Sequence, residues 1–95
     1  MARYRIVSWK DIPSLVEASE GGRTVRVPLS QRFQDLIDAV AMREGATETE
    51  AYLEGWIPGP ETERPGSPEV IAEEVAAELE EGFQDLLQRR FLPAP

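Results

Sequence analysis

Residues 20–37 read Glu20-Gly21-Gly22-Arg23-Thr24-Val25-Arg26-Val27-Pro28-Leu29-Ser30-Gln31-Arg32-Phe33-Gln34-Asp35-Leu36-Ile37, and the apolar period changes within this stretch. Two adjacent glycines accept the positive φ angles that a tight hairpin turn requires. After them Val25, Val27 and Leu29 alternate with Thr24 and Arg26, the pattern of a strand with one buried face. Beyond Ser30, a favourable N-cap, Phe33, Leu36, Ile37, Val40 and Ala41 recur at spacings of three and four, and Gly45 supplies a stop. A hairpin therefore runs directly into an amphipathic helix over 31–44. This places the chain in the α+β class.

Working towards the N-terminus, a second strand is expected at 15–19 and another at 3–9, where β-branched and aromatic residues concentrate. In the latter, Tyr4, Ile6 and Ser8 share one face and Arg5, Val7 and Trp9 the other. Pro13 and its neighbours, from Lys10 to Ser14, are expected to turn the chain. Towards the C-terminus, Thr47 and Glu50 make a capping box for a short helix over 48–54, anchored by Tyr52 and Leu53 and ended by Gly55. Residues 56–66 contain Pro58, Pro60 and Pro65 and read as a loop or, at most, a short fourth edge strand near 56–63. Ser67-Pro68-Glu69 opens a helix over 68–90. Its stripe is Ile71, Val75, Leu79, Phe83, Leu86 and Leu87, with Gly82 weakening the middle. Phe91 and Leu92 are expected to dock and Pro93-Ala94-Pro95 to fray. The expectation is a single domain over 1–95, a three-stranded antiparallel meander covered on one face by two main helices.

At 95 residues one core is the natural arrangement. The hydrophobic share of 41% and charged share of 29% are those of a globular chain. Cysteine and histidine are both absent, so disulfides, thiolate metal sites and the usual neutral-pH proton carrier are excluded. No cofactor and no metal is expected. The net charge of −8 is unevenly spread: residues 1–45 carry seven bases and six acids, residues 46–95 three bases and twelve acids. That balance repels phosphate, so no nucleic-acid partner is expected. No apolar run approaches the roughly 20 residues of a membrane span, and the N-terminus lacks a signal-peptide core. A cytoplasmic location without membrane association is the expectation.

Glu73, Glu74 and Glu78 read as a solvated helix face rather than a cation site, which needs six to eight oxygens. Asp11 with Glu17, or Asp35 with Asp38, are the pairs to consider for acid–base chemistry, but nothing in their spacing sets them across a reacting bond. Gly21-Gly22 lacks the Lys-Ser/Thr pair of a phosphate loop. What remains is a candidate interaction surface: Arg5 and Arg26 on the strands, the Trp9, Lys10, Asp11 and Pro13 cluster, Arg32, and Trp56 beside the proline-rich loop. Trp9 and Trp56 each also admit a plain core reading, and the arginines a reading as solvated partners of acids.

The segments Trp9-Lys10-Asp11-Ile12-Pro13-Ser14-Leu15-Val16 and Leu29-Ser30-Gln31-Arg32-Phe33-Gln34, continuing through Ile37-Asp38 to Ala41-Met42, resemble the small bacterial domain family labelled "virulence factor". That domain also occurs as a module in a staphylococcal conserved virulence factor. The resemblance implies no reaction, no cofactor and no catalytic residues. A non-catalytic protein-binding or accessory module, with an unidentified protein partner, is thus the leading expectation. Two alternatives stand beside it: a homodimer pairing through sheet face or edge, and a small ligand-binding or enzymatic domain using Arg32, Asp11 or Glu17 in a cleft.

Overall fold

The structure, a computed structural model, describes residues 2–45 and 48–90. The elements run β1 (Ala2–Trp9), β2 (Ile12–Glu20), β3 (Arg23–Pro28), α1 (Gln31–Arg43), α2 (Thr49–Glu54), β4 (Trp56–Pro58), β5 (Thr62–Arg64), α3 (Pro68–Glu81) and α4 (Phe83–Arg90). All strand pairs are antiparallel; the order is β3-β2-β1, with β4 and β5 both pairing the far side of β1. The meander is as the sequence predicts, and the proline-rich stretch adds two three-residue edge strands instead of one. Gly59 lies between them with its N–H on the Ile6 carbonyl at 2.9 Å, so close that a Cβ there would stand 2.9 Å from the same oxygen.

Gly21 and Gly22 take φ of 57° and 82° between the paired residues Glu20 and Arg23, a two-residue hairpin whose twist matches the strands. The turn before β2 is tighter than the sequence predicts. It occupies only Lys10, at φ 55°, and Asp11, and Pro13 lies inside β2. A register shift explains how: Val7 pairs with Leu15 but Ser8 with Pro13, leaving Ser14 as an extra residue on β2. A bulge both tolerates proline and re-aims the side chains beyond it. The shift sets Ile12 opposite Trp9, which stays in phase with Val7 along β4; Trp9 is nevertheless fully buried, because residues of α1, α2 and α4 close over this end of the sheet.

Two apolar clusters result. Val16, Ala18 and the half-buried Tyr4, Ile6, Val25 and Val27 pack under α3 through Ile71, Ala72 and Val75. Trp9 and Ile12 instead meet the α1 stripe, Phe33, Leu36, Ile37, Val40 and Ala41, together with Phe83 and Leu86 of α4. The predicted 68–90 helix divides at Gly82, whose N–H still bonds the Glu78 and Leu79 carbonyls at 3.2 and 3.1 Å. The division lets Phe83 turn edge-on to Phe33, ring centroids 4.9 Å apart. Ser67 caps α3 by accepting from the Val70 N–H at 3.3 Å. Leu53 is 61% exposed, so among the described side chains of α2 the anchor is Tyr52. The Thr47 cap and the docking or fraying of residues 91–95 lie outside the described residues.

Candidate functional site

Antiparallel pairing puts directly opposed residues on the same face, so the register defines the side of the sheet away from α3. Three transverse rows appear. Pro58, Val7, Leu15 and Pro28 form an apolar row running through β4, β1, β2 and β3. Arg5, Glu17 and Arg26 form the next. Glu63, Arg3, Ser19 and Thr24 form the third. Neither apolar cluster includes Val7 or Leu15, and both are half-buried.

The middle row carries the most definite chemistry. Glu17 accepts from Arg5 Nε at Oε1 and from Arg26 Nε at Oε2, both at 2.8 Å. Its side chain is only 14% exposed, whereas those of Arg5 and Arg26 are 40% and 64% exposed. One carboxylate thus holds two guanidiniums side by side, and the row keeps one excess positive charge at its surface. Arg3 meets Glu63 only at 4.0 Å. A polar cleft of about 160 Å³ lies over this area, lined by Arg3, Tyr4, Arg5, Glu17, Ser19 and Glu61.

The other candidate residues sit in different settings. Trp9 donates its indole N–H to the Tyr52 carbonyl at 2.8 Å and stacks on the Tyr52 ring at 5.8 Å. Trp56 is half-buried and edge-on to Tyr52 at 5.9 Å. Lys10 donates its backbone N–H to Gly55 at 2.6 Å, pairs with Glu44 at 2.5 Å and lies over the Trp9 ring. Pro13 is buried, and Asp11 borders a cleft with Leu79, Leu86 and Arg89. The Trp9-to-Pro13 segment is therefore chiefly a clamp that fixes α2 and β4 to the end of β1.

Arg32 belongs to a third place. It bonds Glu80 at Oε1 (3.0 Å) and at the backbone carbonyl (2.8 Å), with its guanidinium 4.5 Å from the Phe83 centroid. Ser30 donates both its N–H and its hydroxyl to the same carboxylate, at 2.6 and 2.7 Å, instead of capping α1 with its side chain. Partial burial pushes the Glu80 carboxyl up, but the Ser30 and Arg32 bonds outweigh it and hold the group below its ordinary value. Asp11, Glu17 and Arg32 each border a different cleft. Asp35 and Asp38 each accept from a glutamine one turn earlier, Gln31 and Gln34. Among the described residues no three acidic side chains are gathered as metal ligands, and no helix is long and apolar enough to cross a membrane.

A small antiparallel sheet with helices packed on it defines the class: an α+β domain. Residues 7–89 match the family described as "virulence factor", and the chain belongs to that family. No curated protein and no solved structure shows significant similarity to it. The matched span includes the bulge, the clamp, Glu17, Arg26 and the Ser30–Arg32–Glu80 node.

Proposed function

We propose that the chain is a non-catalytic protein-binding module whose contact surface is the helix-free face of the sheet. The observation that supports this is the pairing of an apolar row, Pro58–Val7–Leu15–Pro28, with the Arg5–Glu17–Arg26 row beside it. Protein interfaces combine an apolar centre with polar partners at its rim, and arginine is enriched among their contributing residues. Here the guanidiniums are already oriented by Glu17, which lowers the entropy lost when they engage a partner. The rest of the chain's acidity lies mainly in residues 46–95, so this face is also where an acidic partner meets the least repulsion.

A photo-crosslinking residue placed at Leu15, in the middle of the apolar row, tests the reading in cells of the source organism. A discrete adduct at Leu15 that is missing from the same residue placed at Glu73, on exposed helix surface, is the expected result. Adducts at Glu73 and none at Leu15 overturn it.

A further inference from the structure

The outer edge of β3 offers a second, more specific recognition element. Among the described residues β3 pairs only with β2, so its other side is an edge. In a two-residue hairpin the closing pair, Glu20 and Arg23, is hydrogen-bonded, and bonded pairs then alternate along the ladder. Ala18–Val25 and Val16–Val27 follow in the same phase. The backbone N–H and C=O of Thr24 and Arg26 therefore point outwards. Pro28 is in phase with them and has no N–H to leave bare. The opposite margin of the sheet differs: β4 and β5 are three residues each, separated by Gly59, Pro60 and Glu61 and followed by Pro65.

Side-chain chemistry on this edge is equally patterned. Arg26 projects on the helix-free side, 64% exposed, while Val25 and Val27 are only half-buried on the helix side. Val70 of α3 is half exposed, next to Glu69, which pairs with Arg23. A strand laid antiparallel along β3 would set one alternate set of its side chains opposite Arg26 and the other beside Val25 and Val27. β3 carries two bases and no acid, so a second copy's β3 would offer Arg26 no acid and would set like charges across the strands, which is disfavoured.

The geometry points to strand addition: β3 takes an extended partner segment of alternating acidic and apolar residues, with an acid opposite Arg26 and an apolar side chain beside the valines. This rests on the reading of the chain as a binding module but assigns a different part of the sheet and a definite partner chemistry.

The test titrates the full 95-residue chain with an extended peptide of alternating glutamate and valine, followed through backbone amide resonances. Two control peptides carry lysine in place of glutamate, or N-methyl groups on alternate residues. The expected result is shifts concentrated at residues 23–28, abolished by N-methylation and weakened about tenfold or more by the lysine exchange, the size of one cross-strand charge reversal. Arg26→Glu should invert the preference between the acidic and basic peptides. Shifts centred on Arg5 and Leu15 that survive N-methylation overturn strand addition while leaving the face as a binding surface. Absence of binding by the acidic peptide, or concentration-dependent shifts at 23–28 from the protein alone, overturns it as well.

Discussion

The two faces of the sheet are made from alternate residues of the same strands, yet they are organised by different rules. On the helix side Val16, Ala18 and their neighbours lose their individuality in a packed layer under α3. On the other side each row keeps its own chemistry, apolar, then charged, then polar, because no helix levels it. A face covered by helices is selected for volume and shape, whereas an uncovered one can carry a pattern. Stability should therefore be concentrated on the first face and at the Trp9 clamp, and recognition on the second.

The largest expected effect lies at the clamp. Trp9→Ala removes a fully buried indole together with its bond to the Tyr52 carbonyl and should cost about 3–5 kcal/mol in a urea unfolding titration. Next comes Gly55→Ala. A Cβ at position 55 would stand 2.4 Å from the indole nitrogen of Trp9, so a loss of about 1–3 kcal/mol through overpacking is expected from the same measurement.

At the helix junction the effect should depend on pH. The folded-state pKa of Glu80 lies below its ordinary 4.5, so its contribution is complete above that value and lost as pH falls through the folded pKa. Glu80→Gln should accordingly be less stable than the parent near neutral pH, with the difference shrinking in acid. Melting temperatures recorded from pH 7 down to 3 check the sign. A gap that widens in acid would contradict the bonding pattern described for Ser30 and Arg32.

On the helix-free face the effects should be small. Leu15→Asp, at a half-buried position of a central strand, should cost only about 1 kcal/mol. Glu17→Gln weakens an ion triad whose arginines are exposed, and a change below about 1 kcal/mol is expected. A loss of several kcal/mol at Leu15 would mean that this face is packed after all, and the contrast between the two faces would disappear.

Much of this was legible in the sequence because it rests on local rules. The hairpin follows from Gly21-Gly22, the first helix from the Phe33-to-Ala41 spacing, and the third from Ser67-Pro68. The burial of Trp9 was not, since alternation leaves it on the face of Arg5 and only helices distant in sequence, closing over that end of the sheet, bury it. Nor could spacing reveal that Glu80, fifty residues away, would take the bonds of Ser30. The apolar row was hidden for a related reason. Pro58, Val7, Leu15 and Pro28 come from four strands, and the register that aligns them is a property of the whole sheet. Composition and spacing single out Arg5 and Arg26 as surface candidates, but place their shared partner Glu17 with Asp11 as an acid–base pair. Once strand pairing is known, its position between two arginines is the signal that separates the readings.

The most direct test of the separation is the affinity of the partner captured through Leu15 for the double variant Arg5→Glu with Leu15→Asp, measured beside the unfolding curve of that variant. A loss of affinity of about a hundredfold or more, with a melting temperature close to that of the parent, is the predicted result. Undiminished affinity in a folded double variant would contradict it.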